Sequence, residues 1–398
     1  MTNKPEHIQQ IVAQTNRDLQ SAIQTQGAAM RIVLSHLRAQ MQDTRLRDLL
    51  GHAKMIFITG CGDSFYAGLA AQQAFLRYGG VLTQAIEAME YSRYVGPFAP
   101  RESLVIAVSN SGRVSRTVEA AQLGTHYLGS IGITDAPTSP LAHASTCTLP
   151  VGLMPMASGA TGTRSYLASM YALYELAITV GEVNGTIGLS EAAELQRVLD
   201  ESLEAMEWTL SQSRAAVDAL VPILQSETVL YFIGAGPNYA TANYGAAKLL
   251  EAVGMSGVPV QMEEWAHEQF HITGPDTTFV VLAYPGNGRD RILEQIRGLH
   301  AMDAQVIVVA PREDVELSQA GAFLVPVFGR LPEEFSPLVM CIPLQWLAAR
   351  LAVSRQTTMR MLVDEHKRDV NFHQIFDSAI APMNPKQIQR LVKSISQE

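Results

Sequence analysis

The chain has 398 residues, of which 47% are hydrophobic and only 17% charged, a composition that permits large buried cores and suggests two or more domains. Its formal net charge of −9 and its dispersed lysines and arginines argue against nucleic acid or an anionic membrane as a partner. No uninterrupted apolar stretch reaches the roughly 20 residues of a membrane span, and the polar N-terminus lacks a signal-peptide core, so we expect a cytoplasmic protein.

Cysteine usage excludes one further class of protein. The three cysteines, Cys61, Cys147 and Cys341, are an odd number without C-x-x-C spacing. This pattern argues against a disulfide framework or a cysteine-ligated metal, and we expect buried thiols.

The first half of the chain alternates strand-like and helical patterns. Residues 4–50 show helical periodicity broken near Gly27, which predicts packing helices. From Met55 onward the alternation predicts a parallel α/β layer. The predicted strands are 55–59, 104–108, 130–134 and 145–150, and the predicted helices are 64–77, 115–126 and 164–180. A long polar helix over residues 190–220 follows.

Two polar turns follow two of these strands. Loop A (residues 60–64) reads Gly-Cys-Gly-Asp-Ser, and loop B (residues 109–113) reads Ser-Asn-Ser-Gly-Arg. Such turns lie together at the carboxyl edge of a parallel sheet, so Ser64, Ser109 and Ser111 are expected to converge on one anion at a positive helix end. The alternative is that these serines only cap their helices.

The second half repeats this plan. Gly60 and Gly234 are 174 residues apart, and Gly112 and Gly288 are 176 residues apart, which indicates an internal duplication. Loop A′ (residues 234–238, Gly-Ala-Gly-Pro-Asn) corresponds to loop A, and loop B′ (residues 285–288, Pro-Gly-Asn-Gly) corresponds to loop B. Because the second copy has lost its serines, we expect one complete ligand site, built between the halves.

An acid–base pair follows loop A′. Lys248 and Glu251 are three residues apart on one face of a predicted helix. A carboxylate held at a cleft moves a proton between neighbouring carbons of a sugar, and an adjacent ammonium steadies the developing oxyanion. The spacing by itself favours the alternative, a solvated ion pair on a surface helix.

A zinc-protease pattern, His267-Glu268-x-x-His271, occurs further along the chain. That motif needs a sustained helix, whereas Thr273-Gly-Pro275 interrupts immediately, so we interpret the match as a coincidence. His271 is expected to be a packing or surface residue. His267 is either a satisfied core histidine or a proton shuttle.

One lysine of the C-terminal tail is embedded among apolar residues. Lys393 lies beside Leu391, Val392 and Ile395. Two interpretations are open. In the first, the apolar neighbours lower the pKa of the lysine, and its amine attacks a carbonyl. In the second, the side chain extends its charged end into solvent, and without other motifs the sequence favours this second interpretation.

Together these motifs resemble the double sugar-isomerase (SIS) domain proteins, in particular the isomerase half of glucosamine-6-phosphate synthase and related phosphosugar isomerases and deglycases. The resemblance covers about residues 30–398. Loops A and B look like that family's two sugar-phosphate loops, residues 245–251 look like its catalytic helix, and Pro343-Leu-Gln-x-Leu-Ala348 matches a structural segment.

The resemblance implies a role for each candidate residue. It implies Glu251 as the base that moves a proton between C1 and C2, Lys248 as its partner, and His267 as a ring-opening histidine contributed across a dimer. It implies Lys393 as the amine that forms a Schiff base with a ketose. The implied phosphate-binding residues are Cys61, Gly62, Ser64, Ser109, Asn110, Ser111 and Ser115.

Several positions depart from the family pattern. Val114 replaces a usual hydroxyl, so a phosphate contact is missing unless Ser115 or Arg113 substitutes. Glu268-Gln269 replaces Gly-Pro after the histidine, and Ala157 stands where the family has an acidic residue. Sugar recognition is therefore expected to differ. The chain also begins without a glutamine-hydrolysing domain, so we expect no ammonia from glutamine.

The resemblance implies an α/β fold of two tandem SIS subdomains, each a three-layer α/β/α sandwich around a parallel flavodoxin-like sheet. The expected limits are N-terminal helices over 1–50, a first SIS domain with the phosphate loops over 51–205, a second with the catalytic helix over 206–380, and a tail over 381–398 that completes the active site.

The expected function is that of an aldose–ketose isomerase or aminotransferase-like enzyme acting on a hexose or amino-sugar 6-phosphate, of deaminase/isomerase or fructosamine-6-phosphate deglycase type. We expect no cofactor and no metal, a phosphorylated sugar as substrate, and a homodimer with shared active sites. One alternative is a non-catalytic sugar-phosphate-binding regulator. Against it stand Glu251 and Lys393 together and the lack of a DNA-binding motif in residues 1–50. Another alternative is the zinc hydrolase.

Overall fold

A computed structural model describes residues 4–153 and 162–380 of the chain. Lys393 in the tail and Ala157 lie outside the described residues. The role expected for Lys393 and the effect of the departure at Ala157 therefore remain predictions.

The described chain divides into two compact units. The first unit comprises residues 32–153, 165–197 and 369–380, and the second comprises residues 4–31, 162–164 and 198–368. Loops A and B belong to the first unit, whereas loops A′ and B′ belong to the second. The duplication seen in the sequence therefore corresponds to two separate sheets.

The sheet of the first unit has five parallel strands. They are β1 (Met55–Gly60), β2 (Leu82–Glu87), β3 (Ser103–Val108), β4 (Gly129–Thr134) and β5 (Cys147–Pro150). Their spatial order is β2-β1-β3-β4-β5. Gly60 pairs with Val108 across the β1–β3 register, so loops A and B leave the sheet from neighbouring positions at the same edge.

The sheet of the second unit has the same topology. Its strands are β6 (Val229–Gly234), β7 (Ser256–Gln261), β8 (Thr278–Leu282), β9 (Gln305–Pro311) and β10 (Phe323–Val327). Their spatial order, β10-β9-β8-β6-β7, is that of the first sheet read in the opposite direction. Both sheets have the flavodoxin-like strand order, as expected from the resemblance.

Helices flank both sheets. In chain order they are α1 (Lys4–Gln24), α2 (Gln26–Gln40), α3 (Thr44–His52), α4 (Asp63–Ala74), α5 (Ala88–Glu90), α6 (Ser115–Gly124), α7 (Pro140–Ala144), α8 (Arg164–Asn184), α9 (Leu189–Leu224), α10 (Pro237–Lys248), α11 (Arg289–Ala301), α12 (Val315–Ser318), α13 (Pro337–Arg355), α14 (Arg360–Val363) and α15 (Glu365–Phe376). Single π-helical turns continue α4 at Phe75–Gly79 and α10 at Leu249–Val253.

Apolar side chains explain why these elements pack. Strands β3 and β4 are buried at every position, as expected for parallel strands covered on both faces. In the second unit Trp265, Phe279 and Leu299 lie in a common core. One described stretch, Glu333–Arg355, is long and apolar enough to cross a membrane, but 89% of its most apolar window is buried inside the fold. Helix α13, which makes up most of this stretch, is therefore packed as a core helix.

The α/β class, the parallel sheets and the break between the N-terminal helices near Gly27 are confirmed. Strands β2 and β7 were not predicted. Both are edge strands whose residues are mostly half-buried or exposed, so they lack a continuous apolar run. Strand β7 contains Gly257 and Pro259, which are residues typical of loops. An edge strand tolerates proline because one side needs no ladder hydrogen bonds.

Candidate active site

Loop A joins β1 to α4 in the first unit. Gly62 is the N-cap of α4 and adopts a left-handed φ of 55°, with no side-chain cap hydrogen bond in the described part of the chain. A Cβ at Gly60 would lie 2.8 Å from the Ser64 Cβ and 2.9 Å from the Val108 carbonyl oxygen, so glycine is needed where loop A packs against β3. The positive end of α4 therefore opens next to loop B.

Loop B presents a buried hydroxyl. Ser109 is 2% exposed, and its Oγ has no hydrogen-bond partner among residues 4–153 and 162–380. The exposed Ser111 accepts a 3.3 Å hydrogen bond from the Arg113 backbone N–H, and the Asn110 carbonyl accepts the Asp135 N–H at 3.0 Å. A buried hydroxyl without a partner is costly unless a ligand completes it.

The capping alternative is wrong for these serines. The N-cap of α6 is Val114, with no side-chain cap bond in the described residues, and that of α4 is Gly62. Ser64, Ser109 and Ser111 therefore do not occupy N-cap positions.

Cys61 lies in loop A with its thiol already bonded. Its Sγ donates to Glu87 Oε1 at 3.1 Å, and Glu87 Oε2 accepts the Met89 N–H at 2.7 Å. Burial, together with the Glu87 carboxylate, raises the pKa of Cys61 to about 12. The side chain is therefore a neutral thiol at physiological pH.

The residues after loop B hold a C-terminal strap, defined here as residues 376–379. The Ser115 hydroxyl donates to the Phe376 carbonyl at 2.9 Å, and the Arg113 guanidinium lies 5.0 Å from the centre of the Phe376 ring. Arg116 donates to the Ala379 carbonyl at 2.5 Å. The single hydroxyl proton of Ser115 is donated to the Phe376 carbonyl. In this arrangement an anion at the loops would be bound by donors other than the Ser115 hydroxyl.

A buried carboxylate orients Arg116. Glu119 is 4% exposed and accepts hydrogen bonds from Arg93, Arg116 and Ser92. Its negative charge is therefore fully paired, as a buried carboxylate requires. No motif in the sequence analysis pointed to this network or to the strap. The only local signal was the i,i+3 spacing of Arg116 and Glu119.

The acid–base pair lies in the second unit at the junction of α10 and its π-helical turn. Lys248 Nζ donates to Glu251 Oε2 at 2.6 Å, and Nζ lies 5.1 Å from the centre of the Tyr244 ring. The Lys248 side chain is 1% exposed and that of Glu251 is 34% exposed. The interpretation as a solvated surface ion pair is therefore wrong. The ammonium group is buried, and its carboxylate partner is partly exposed.

His267 lies between two short 3-10 segments, Glu263–Ala266 and Gln269–Ile272. Both His267 and His271 are exposed. The interpretation of His267 as a histidine buried in the core of its own unit is therefore wrong. The neighbouring Trp265 is buried and donates from Nε1 to the Thr273 hydroxyl at 3.1 Å, which anchors the segment. The zinc-protease pattern is not carried on the sustained helix that the motif requires.

The structure thus groups the predicted residues within each unit. The seven phosphate-binding candidates lie on or beside loops A and B of the first unit, whereas Lys248, Glu251 and His267 belong to the second. In the described ranges, no group of three or more His, Cys, Asp or Glu side chains is arranged to hold a metal ion.

Comparison with known proteins gives matches in both halves. A family model described as SIS domain matches residues 49–179 and 223–354, more than half of the chain. The glutamine–fructose-6-phosphate aminotransferase (isomerizing) of Zymomonas mobilis is 26% identical over 311 residues, covering 77% of this chain and 50% of that protein. The chain spans about half the length of the curated relatives it matches.

Two solved structures share the fold. The C-terminal domain of glucosamine-fructose-6-phosphate aminotransferase from Francisella tularensis has a TM-score of 0.80 at 20% identity, covering 86% of this chain and 97% of that one. Glucosamine-6-phosphate deaminase from Thermotoga maritima has a TM-score of 0.62 at 17% identity, covering 82% and 95%. At these identities the likeness shows the fold alone.

Proposed function

The chain belongs to the SIS domain family, and on that premise we propose that it is a phosphosugar isomerase of the deaminating or deglycating type. Its substrate is a hexose or amino-sugar 6-phosphate. The proposed enzyme is a cytoplasmic homodimer with shared active sites.

The observation that carries this proposal is the pair formed by the buried Lys248 and the partly exposed Glu251. Taking an ammonium out of water costs several kcal/mol unless a partner compensates it, and here the 2.6 Å bond to Glu251 does so. The partly exposed carboxylate is reachable by a ligand. A surface ion pair would need no such burial, so the arrangement favours chemistry at Glu251.

We propose that Glu251 takes a proton from the carbon beside the substrate carbonyl and returns it to the carbonyl carbon, while the hydroxyl proton passes to the former carbonyl oxygen. Such general base catalysis contributes about 10²–10⁴-fold to the rate. Lys248 holds the carboxylate in place and steadies the negative charge that develops on the sugar oxygen.

In this proposal loops A and B bind the phosphate. Support comes from the buried hydroxyl of Ser109 and from the uncapped positive end of α4 within the described chain. Ser64, Ser111, Asn110 and the loop A residues Cys61 and Gly62 complete the set. Ser115 remains a candidate, although its hydroxyl proton is directed at Phe376.

Lys393 is the proposed carbonyl-capturing amine. Its nitrogen attacks the ketose carbonyl carbon, water leaves, and a Schiff base remains. Borohydride should trap the sugar on the wild-type chain and not on Lys393→Ala. Trapping that persists without Lys393 assigns the amine elsewhere, with Lys248 the first suspect.

His267 is proposed to open the sugar ring in the partner subunit's site, and its exposure is compatible with that role. Inactive His267→Ala and inactive Glu251→Gln subunits should regain turnover when mixed. If heterodimers confirmed by native mass spectrometry recover none although both variants are folded, the cross-subunit role is wrong.

One experiment tests the function as a whole. The chain is incubated with a panel of hexose, hexosamine and fructosamine 6-phosphates, and release of ammonia or amine is followed with solvent deuterium incorporation at C1 and C2. We expect incorporation with at least one phosphosugar and its loss in Glu251→Gln. Tight binding without incorporation or release would instead identify a regulator that senses phosphosugars.

A further inference from the structure

The copies of the two phosphate loops in the second unit enclose a carboxylate of the chain itself. Glu333 Oε2 accepts the backbone N–H of Asn287 in loop B′ at 2.9 Å. A Cβ built on Gly286 would lie 2.0 Å from Glu333 Cδ, and one built on Gly236 of loop A′ would lie 3.7 Å from Oε1. The carboxylate therefore sits against both loops, and at position 286 a Cβ would collide with it.

Loop A′ has kept the geometry of an anion turn. Gly236 is the N-cap of α10 with φ 53° and ψ −132°, almost the same as the φ 55° and ψ −129° of Gly62 at α4. The positive end of a twelve-residue helix therefore faces the Glu333 carboxylate. A negative group at this position replaces the charge that a bound oxyanion would supply.

The segment that carries Glu333 is fixed by residues of loop A′ and by the residue that precedes loop B′. Asn238, which corresponds to Ser64, donates from Nδ2 to Ser336 Oγ at 2.8 Å, and Ser336 Oγ donates to the Glu333 carbonyl at 2.7 Å. The Tyr284 hydroxyl, just before loop B′, donates to the Leu331 carbonyl at 2.9 Å. Side chains at these positions thus bind the protein's own loop instead of a ligand.

The corresponding stretch of the first copy has a different sequence. The spacing of the duplication sets residues 154–165 against the Glu333 segment, and that stretch contains neither aspartate nor glutamate. The sequence therefore offers no counterpart of Glu333 in this stretch of the first copy, whereas the second copy carries a carboxylate at its loops.

From these contacts we infer that Glu333 is an intramolecular ligand of an anion seat formed by loops A′ and B′, which binds a phosphate-sized oxyanion when the carboxylate is removed. The inference rests on the proposed function in one respect, since it takes loops A and B to bind phosphate. It makes Glu333 the residue that limits each chain to one phosphosugar.

The test uses the full chain and inorganic phosphate in a buffer free of other oxyanions. Calorimetric titration compares the parent with Glu333→Ala and Glu333→Gln, and Glu294→Ala serves as the control, because Glu294 is an exposed carboxylate paired with Arg291 in the same unit. We expect the bound phosphate to rise from one to two per chain in Glu333→Ala and to stay at one in the control. A crystal of Glu333→Ala grown with phosphate should show the added ion at the Asn287 N–H.

The same titration is repeated in a Ser109→Ala, Ser111→Ala background, which separates the two proposals. Loss of the first phosphate there, with one gained on Glu333→Ala, supports both. Retention of the first phosphate contradicts the proposed role of loop B. The seat at loops A′ and B′ is then tested by whether Glu333→Ala still binds one more phosphate per chain. A folded Glu333→Ala chain that gains no phosphate, or gains one away from loop B′, overturns the inference.

If the alanine variant is unstable, its melting temperature with and without phosphate tests the inference. If Glu333→Ala melts below the assay temperature, phosphate should raise its melting temperature more than that of the parent. A chain that phosphate does not rescue, together with Glu333→Gln binding phosphate as the parent does, shows that Glu333 has only a structural role.

Discussion

The two copies of the duplicated sheet carry different functional groups at corresponding positions. The first copy keeps hydroxyls in loops A and B but has Ala74 and Arg77 at the positions that correspond, 174 residues on, to Lys248 and Glu251. The second copy has the acid–base pair and a built-in carboxylate at its loops. Ala74 and Lys248 are both fully buried, so the difference is one of charge and not of exposure.

This comparison teaches how a duplicated fold specialises. Both copies keep the strand order, the positive-φ glycine N-cap and a π-helical turn after the first helix. Such turns often occur at functional sites, and in the second copy the turn carries Glu251. The backbone is thus common to the copies, and their side chains differ at the corresponding positions.

The largest expected effect comes from exchanging the acid of the second copy. Glu251→Gln should reduce solvent deuterium exchange into the phosphosugar by about 10²–10⁴-fold, because the amide cannot accept the proton. Binding should persist. The matched control is Arg77→Gln at the corresponding exposed position of the first copy, which should leave exchange unchanged. Exchange in Glu251→Gln at the rate of the parent chain would refute the role of Glu251 as the base.

The hydroxyls of the first copy should give the next largest effect. Ser109→Ala and Ser111→Ala should each weaken binding of a phosphosugar by roughly 10- to 100-fold, since a hydrogen bond to a charged group contributes about 1.5–3 kcal/mol. The unphosphorylated sugar should bind as before. Asn287→Ala is the control in the second copy, because it keeps the backbone N–H that binds Glu333. Equal weakening for both sugars would count against a phosphate site.

A double-mutant cycle measures how tightly loop B′ encloses its carboxylate. Gly286→Ala should lower the free energy of unfolding by about 1–3 kcal/mol, as overpacking does, because its Cβ would meet Glu333 Cδ at 2.0 Å. In a Glu333→Ala chain the same change should cost less, as denaturant titration would show. If Gly286→Ala costs the same in both chains, the two residues are not in contact.

The smallest effect concerns Cys61, which corresponds to Ala235 in the second copy. Burial and Glu87 raise the pKa of Cys61 to about 12 from an ordinary value of 9.0, so the folded chain holds this proton more tightly than the unfolded chain does. The associated stability is fully present below about pH 9 and is lost as the pH rises toward about pH 12. The ratio of phosphosugar affinities of wild type and Cys61→Ala should therefore stay constant between about pH 7 and about pH 9. A ratio that changes near pH 8 would reveal a thiolate.

Local patterns were enough to predict much of this protein. Buried strands such as β3 and β4 are continuous apolar runs, and the constant spacing of the glycine turns exposes the duplication, so the α/β class and both pairs of loops follow from the sequence. Lys248 and Glu251 were identified together because three residues bring side chains to one helix face. Edge strands β2 and β7 were missed because partial burial leaves no clear period.

Sequence alone determined which functional side chains are present in each copy. Only the tertiary structure decided which of these side chains are buried and which residues they contact. Whether Lys248 is solvated or buried depends on the packing around α10, which an i,i+3 spacing does not encode. Glu333 reaches loop B′ from 46 residues away, and Phe376 reaches Ser115 from 261 residues away. Contacts of this kind leave no periodic signal, because chain folding and not local geometry brings the partners together.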